Sequence, residues 1–252
     1  MRILVCIKRV ALLSDDVEFT ADGREVDPDY LDFALNEWDA CSLEEALQLR
    51  DANGGEVIVV SVGEPSCERE LRRCLAMGAD RAIRVNTDST VLDPMALAEA
   101  LAEVARGEEP DLILCGVQSC DSVQGATGAA LAGLLDLPAV AVVKKLEIDV
   151  TARKAVLHRE LEGGLVAVYE CELPAVLTIQ TGINQPRYVT MRAMQEVAAA
   201  EIPVREAAIG NAGRYRIRRM FLPAAARAEM IAGKPVDIAR RILEIAGQAG
   251  VR

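Results

Sequence analysis

The most constraining feature of the sequence is a fourfold alternation of short apolar segments with helix-like segments, which continues as far as Pro138. Each apolar segment is unbroken by polar residues, which is typical of strands buried on both faces of a sheet. Strands that alternate with helices form a parallel sheet through right-handed crossovers, with helices on both of its faces. The predicted strands are Met1–Lys8, Val57–Val62, Ala82–Val85 and Leu112–Cys115. The sequence therefore predicts a doubly wound α/β fold in which the first strand is central.

The start of the first helix is ambiguous, because Asn36 and Ser42 are both good N-cap residues. From whichever cap it begins, the helix runs to about Arg50 and places Glu44 and Glu45 off its apolar face. The remaining helices of this half are predicted through Met77, over Leu92–Arg106 and from about Thr127 onward.

The pattern changes after Pro138, where four strand-like segments follow one another with little helix between them. These segments are Val140–Ile148, Ala155–Glu160, Leu165–Cys171 and Val176–Gln180. Short helices are predicted from about Thr190 to Ala199 and over Val236–Ala246, and an Asp22-Gly23 turn predicts an early hairpin over Val17–Val26. We expect an α/β domain over residues 1–190. We expect a recognition loop, a helix and an arm over residues 191–252, where the arm either covers another surface or is a flexible terminus.

Composition excludes several classes of protein. The chain has 252 residues, 51% of them hydrophobic, which predicts a globular protein, and no apolar run reaches the roughly 18 residues of a membrane helix. A net charge of −11 argues against nucleic acid as a partner. The basic residues gather in residues 191–252, which carry 11 lysines and arginines against 6 acidic residues. The clustered arginines of this region are Arg214, Arg216, Arg218 and Arg219.

The cysteines and the single histidine bear on location and metal binding. Seven cysteines lie mostly in apolar segments without a CxxC pair, and His158 is the only histidine, so the ligands of a zinc site are missing. Free cysteines and a strand that begins almost at Met1, with no signal for export, predict a reducing cytoplasmic location.

The segment Pro110–Pro138 joins a strand to a helix through a loop of small and polar residues, Gly116–Gly125. Such a helix start offers free N–H groups and a positive dipole end to a phosphate, although small residues can equally serve close packing of a helix on a sheet. Neither GxGxxG nor GxxxxGK[ST] occurs, and spacing alone favours the packing interpretation. Four stretches nevertheless converge on one crevice in a doubly wound sheet. They are Cys6–Lys8, Asn36–Asp39, Val62–Gly63 and Gly116–Gly128.

Motifs spread from Met1 to about Ala193 keep the spacing of one known family. They are Met1–Lys8, Asn36–Leu49 with its SLEEAL core, Leu75–Arg81, the loop with Gly116, Gln118, Asp121 and Thr127-Gly128, Arg159–Gly164, Leu173–Val176 and Asn184–Tyr188. Together they resemble the beta subunit of electron transfer flavoprotein. Four details are nearer to the methylotroph type, which takes electrons from trimethylamine dehydrogenase: Asn36–Asp39, Gly116–Ser119, Leu177–Gln180 and Arg216–Met220.

The resemblance implies a Rossmann-like, adenine-nucleotide-binding α/β domain with a β-rich second half and an extended C-terminal arm that embraces an alpha subunit. The alpha subunit of the family holds most of the FAD site, whereas the beta subunit holds a structural AMP and has no catalytic residues of its own. The implied donors are flavin dehydrogenases of the trimethylamine, dimethylglycine or acyl-CoA type, and the implied acceptor is electron transfer flavoprotein–quinone oxidoreductase, which leads to the respiratory chain.

The resemblance also carries site residues onto this chain. The AMP positions are Cys6, Asn36, Glu37, Trp38, Asp39, Val62, Asp121, Ser122, Val123, Gln124, Gly125, Ala126, Thr127 and Gly128. Main-chain amides of Gln124–Gly128 would hold the phosphate, and Asn36 or Asp39 would read polar edges of adenine or ribose. Leu13 and Trp38 fall near the FAD, although Trp38 is equally suited to anchor packing. Met191 matches the residue that enters an apolar pocket of the partner dehydrogenase, with partial core packing as the alternative.

Two other functions are compatible with such a crevice. A bifurcating flavoprotein subunit would bind a second FAD in place of AMP, but the loop Asp121–Gly128 lacks the pattern associated with those proteins. A stand-alone adenine-nucleotide sensor would share the sheet and the crevice, and the long C-terminal tail argues against it.

Overall fold

The computed structural model describes residues 1–13, 17–87, 93–207, 217–222 and 230–250, so Arg214 and Arg216 of the basic cluster lie outside the described residues. The strands are β1 (Arg2–Cys6), β2 (Arg9–Leu13), β3 (Leu31–Leu35), β4 (Glu56–Val62), β5 (Arg81–Asn86), β6 (Leu112–Gly116), β7 (Ala139–Asp149), β8 (Lys154–Glu160), β9 (Val166–Glu172), β10 (Ala175–Ile179) and β11 (Val204–Glu206). The helices are α1 (Glu37–Asn53), α2 (Glu68–Met77), α3 (Pro94–Glu108), α4 (Thr127–Leu135), α5 (Met191–Glu196) and α6 (Pro235–Gln248).

Nine of the strands that can be described form one sheet in the order β11-β5-β4-β1-β6-β10-β7-β8-β9. The pairings from β11 to β7 are parallel, and β8 and β9 continue the sheet in antiparallel fashion. β1 lies between β4 and β6, as the continuous apolar character of its sequence predicted. The predicted doubly wound fold with a β-rich second half is confirmed.

The core is divided by the sheet into two apolar layers. Alternate residues of β1 point to opposite layers, Ile3 and Val5 to one and Leu4 and Cys6 to the other. The first layer is packed under α1 and α2, and the second under α3 and α4, so helices cover both faces. All seven cysteines lie in the described ranges, each is a free thiol, and only Cys120 is exposed.

The hairpin predicted over Val17–Val26 is present in a short form. The chain turns at Gly23, which has a φ of +65°, and Phe19 and Val26 form an isolated antiparallel bridge. The N–H groups of Thr20 and Asp27 donate to the carbonyl oxygens of Glu25 and Glu18. A longer antiparallel ribbon, which was not predicted from the sequence, is formed by β2 and β3, which pair from Arg9–Leu35 to Leu13–Leu31.

Two carboxylates on α1 also correct the sequence-based assignment. Glu44 and Glu45 were placed off the apolar face, yet both are buried. Each has a polar partner from the loop that follows β10, Arg187 for Glu44 and Asn184 for Glu45. The helical period could not show this burial because the partners lie far away in the chain.

The C-terminal region is partly integrated into the sheet. β11 pairs with β5, and the side chain of Arg205 forms an ion pair with Glu108 at the end of α3. In α6, by contrast, Val236, Ile242 and Leu243 are exposed apolar side chains. The division at residue 190 stays a prediction. In the parts of the chain that the structure describes, no helix is both long and apolar enough to cross a membrane.

Candidate functional site

The carboxyl ends of β1 and β6 meet the first turn of α1, and one carboxylate joins all three elements. Asp39 accepts a hydrogen bond from the backbone N–H of Lys8, at 2.8 Å, and another from that of Gly116, at 3.0 Å. Its side chain is buried, and this burial raises the pKa of Asp39 to about 7, although the hydrogen bonds that it accepts oppose the shift. α1 is thereby held against the ends of two neighbouring strands.

Gly116 is required for this close approach. A Cβ atom at this position would lie 2.4 Å from Oδ1 of Asp39 and 2.6 Å from Cβ of Trp38. Both distances are far below van der Waals contact, so any side chain would push α1 away from β6.

Asn36 is the N-cap residue of α1, but its side chain makes no capping hydrogen bond. Instead Nδ2 donates to the carbonyl oxygen of Gln118 at 2.8 Å, and Oδ1 accepts from the N–H of Cys120 at 3.3 Å. Ser42, the competing cap, donates to the carbonyl oxygen of Trp38 within the helix. Asn36, only 1% exposed, therefore fixes the loop after β6 relative to α1.

Lys8 extends from the end of β1 to the same loop. Its Nζ lies 2.7 Å from Oδ1 of Asp121 and 3.3 Å from Oγ of Ser119. Burial would raise the pKa of Asp121, but the hydrogen bonds from Lys8 and Ser119 outweigh it and lower that pKa. Val123 has a φ of +52°, which a β-branched residue rarely adopts. The loop is thus held in a specific conformation by charge and hydrogen bonds.

The loop leads into α4, whose N-terminus has no side-chain cap. The N-cap residue is Ala126, which cannot accept a hydrogen bond through its side chain. In α3, by contrast, the carboxylate of Asp93 accepts from the N–H groups of Met95 and Ala96. Within the described residues no side chain caps the start of α4, so the positive end of its dipole is available to an external anion.

Close packing holds this helix start in place. A Cβ atom on Gly128 would lie 2.6 Å from Cγ2 of Thr178 on β10. The small residues can therefore serve both close packing and presentation of N–H groups to a phosphate. Gly128 packs against the sheet, while Asp121–Ala126 are exposed.

The other predicted positions are distributed as follows. Cys6 is buried beside Cys115 on the neighbouring strand, and a hydrogen bond with Cys115, together with burial, raises the pKa of the Cys6 thiol well above its usual range. Val62 is the last residue of β4, next to β1, and is half-buried, while Glu37 is exposed.

The two positions expected near FAD lie on different elements. Trp38 is half-buried in the first turn of α1, where its Nε1 donates to Oε1 of Gln180 at 2.8 Å. Leu13 is 63% exposed at the end of β2. Met191 lies elsewhere, at the start of α5 beside α2, and is 76% exposed, so it is not a core residue.

Sequence reasoning missed several residues that shape this site. Lys8, Gly116, Gln118, Ser119 and Gln180 occurred within the predicted motifs or the converging stretches, but none of them was given a role in the site. The position of Lys8 at the carboxyl end of the central strand was an available signal, since ligands of such sheets bind at that end. The Trp38–Gln180 contact joins residues 142 positions apart and had no local signal.

Comparison with known proteins identifies the family of this chain. The family model described as electron transfer flavoprotein domain matches residues 26–209. The chain belongs to the electron transfer flavoprotein family. It is 41% identical to the electron transfer flavoprotein subunit beta of Methylophilus methylotrophus, with 97% of each chain covered. It is 33% identical to the subunit beta of Bradyrhizobium diazoefficiens over all of both chains, and 38% identical to the mitochondrial subunit beta of Arabidopsis thaliana over 76% of each.

These relatives confirm the predicted resemblance to the beta subunit and to the methylotroph type. Beta subunits of electron transfer flavoprotein are electron carriers rather than catalysts, and membership implies an alpha subunit as partner. The chain covers 97% of the length of the Methylophilus relative and all of the Bradyrhizobium one.

Proposed function

We propose that this beta subunit binds one AMP in the crevice between β1, α1 and the loop after β6, as a structural nucleotide of a heterodimer. The observation that supports the proposal most strongly is the uncapped N-terminus of α4 at the end of that loop. The nucleotide monophosphate would accept hydrogen bonds from the main-chain amides of Gln124–Gly128, which suits a negative group without a lysine-rich site.

The side chains of the crevice would then act mainly by fixing its shape. The Asn36 side chain binds the main chain of Gln118 and Cys120. The Asp39 carboxylate binds the main-chain N–H groups of Lys8 and Gly116. Direct contacts of Asn36 or Asp39 with adenine or ribose stay a prediction. Because Lys8 neutralises Asp121 at the loop, the ion pair reduces the repulsion that this carboxylate would exert on a phosphate.

The redox cofactor in this proposal is FAD, held mainly by the alpha subunit. FAD supplies the one- and two-electron chemistry when bound. Trp38, fixed by Gln180, would present its ring near the flavin, and the exposed Leu13 would add apolar contact. Electrons would come from a dehydrogenase of the trimethylamine, dimethylglycine or acyl-CoA type and pass to electron transfer flavoprotein–quinone oxidoreductase. We expect this transfer in the cytoplasm, with no catalytic residue supplied by the beta chain.

Met191 would mediate recognition of the donor. Its side chain is 76% exposed at the start of a short helix, and a flexible thioether fits apolar pockets of varied shape. Exposure of a large apolar side chain in this position supports contact with a partner protein.

Expression tests the heterodimer. The exposed apolar side chains of α6 need another surface. The beta chain expressed alone should therefore aggregate, or unfold at a lower temperature than the heterodimer. Co-expression with its alpha subunit should yield a yellow dimer with about one FAD. Size-exclusion chromatography with absorbance at the flavin band measures both properties. A stable, colourless monomer that unfolds cooperatively would contradict the proposal.

A further inference from the structure

The segment Tyr188–Ala199, here called the docking segment, combines high exposure with firm attachment. Tyr188 is 88% exposed and Met191 76% exposed, so both present large side chains to solvent. Val189 packs against the apolar core, but most other residues of the segment are exposed, and a segment with so much exposed surface would normally be mobile. Here polar contacts from two helices of the α/β domain hold the residues just before it and close to its end.

The first attachment is an ion pair between the half-buried Arg187 and the buried Glu44 of α1. Both carboxylate oxygens of Glu44 are used: Oε2 accepts from the Arg187 backbone N–H at 3.1 Å and from Nε at 2.8 Å, and Oε1 accepts from the other arm of the guanidinium at 3.1 Å. Glu44 is 5% exposed. Burial acts to raise its pKa, but the bonds from Arg187 prevail and lower it, which keeps the carboxylate charged.

The same loop is held a second time on α1. Nδ2 of Asn184 donates to the carbonyl oxygen of Cys41 at 3.0 Å and to Oε2 of Glu45 at 2.9 Å. Two consecutive carboxylates of α1, Glu44 and Glu45, therefore fix the residues that lead into the docking segment. If this face of α1 contacted only water, both carboxylates would be exposed, so their burial reflects the contacts with this loop.

The second attachment lies close to the far end of the docking segment, on α2. Nε of Arg72 donates to the carbonyl oxygen of Ala198 at 3.2 Å, and another nitrogen of the same guanidinium is 2.9 Å from Glu68. Within the segment, Oγ1 of Thr190 caps α5 by accepting from the N–H of Ala193. The short helix that carries Met191 is thus held from both sides.

We propose that Glu44 and Arg72 are positioning residues that hold the docking segment rigid in the conformation that a donor dehydrogenase binds. The inference rests on the proposed role of Met191 in recognition. A segment ordered before the encounter loses little conformational entropy on binding, so the two attachments increase affinity without touching the partner. They act on binding and leave the electron-transfer step itself unchanged.

The test compares three variants of the purified heterodimer. Glu44→Gln removes the negative charge and one of the two acceptor oxygens of the first attachment at nearly constant side-chain length. Arg72→Gln removes the guanidinium of the second attachment. Arg81→Gln is the matched control, since Arg81 forms ion pairs with Glu56 and Glu108 at the opposite end of the strands. Hydrogen exchange of residues 188–199 is measured by mass spectrometry. Flavin reduction is followed by stopped flow against trimethylamine, dimethylglycine and acyl-CoA dehydrogenases, using whichever reduces the wild type fastest.

For Glu44→Gln and Arg72→Gln we expect faster exchange across the docking segment and an increase of about fivefold to tenfold in the donor concentration at half-maximal rate. The limiting rate constant and the FAD content should stay at wild-type values. The control should lower thermal stability without changing exchange of the segment or the half-maximal concentration. Wild-type exchange, or a wild-type half-maximal concentration in both variants, would overturn the inference.

Met191→Ala separates this inference from the function on which it rests. If Met191→Ala raises the half-maximal donor concentration and the two attachment variants do not, the positioning role is wrong and the docking role stands. If Met191→Ala has no effect on that concentration with any of the three dehydrogenases, the docking role itself fails, and the positioning role fails with it.

Discussion

Replacing Gly116 with alanine is expected to destabilise the protein by about 3 kcal/mol and to deplete the crevice of nucleotide. The added Cβ would meet Oδ1 of Asp39 at 2.4 Å and Cβ of Trp38 at 2.6 Å, so α1 must move away from β6. That movement would break the hydrogen bond from the Gly116 N–H to Asp39 and would shift Asn36, which holds the loop. A loss of about 3 kcal/mol corresponds to a fall of roughly 6–12 °C in the unfolding temperature.

Gly133→Ala is the matched control for this substitution. Gly133 lies inside α4, and a Cβ there would have nothing within 4 Å. Alanine in a helix interior is favoured over glycine by up to about 1 kcal/mol, so the control should be neutral or stabilising and should keep its nucleotide. Differential scanning fluorimetry and nucleotide analysis of both variants decide the matter. Equal unfolding temperatures for the two would contradict the close approach of α1 to β6.

Asp39 is expected to make the stability of the protein depend on pH. Burial raises the pKa of Asp39 from 3.8 to about 7 in the folded state. The folded protein therefore retains a proton that the unfolded chain loses near pH 4, and this stabilisation is complete below the unfolded pKa and is lost as pH rises towards 7. The contribution is on the order of 3 kcal/mol across this window.

The difference between Asp39→Asn and wild type isolates that contribution, because asparagine keeps the shape and cannot titrate. Unfolding temperatures measured from pH 4 to pH 8 should fall more steeply with pH in the wild type than in the variant. Asp111→Asn is a control for which the pH dependence should have the opposite sign. Hydrogen bonds from Arg2 and Arg153 outweigh burial and lower the pKa of Asp111, so its contribution to stability is lost as pH falls. Parallel curves for Asp39→Asn and wild type would show that this carboxylate keeps an ordinary pKa.

The strands and helices that surround the candidate site could be predicted because their signals are local. β1, β4 and β6 are short apolar runs buried on both faces, and α2 ends at Met77, as predicted. These signals place the carboxyl ends of the strands together. They therefore predicted from the sequence alone which strand ends lie together, while the use of that edge as a nucleotide site stays a prediction.

The contacts that shape the crevice could not be predicted in the same way, because they join residues distant in sequence. The helical period places Glu44 on the solvent side of α1. Its burial is explained by the ion pair with Arg187, which lies 143 residues later in the chain. β11 has three residues and little apolar character, and its place on the sheet depends on pairing with β5. Lys8 and Asp121 form an ion pair between segments 113 residues apart. Such pairings follow from the tertiary fold and leave no periodic pattern.

The nucleotides released by the purified heterodimer test the central claim most directly. Denaturation followed by chromatography and mass spectrometry should yield about one equivalent of AMP and about one of FAD, because the uncapped start of α4 and its loop would hold a monophosphate while the alpha subunit holds the flavin. Two equivalents of FAD and no AMP would contradict this account and would show that the crevice of this chain holds a second flavin.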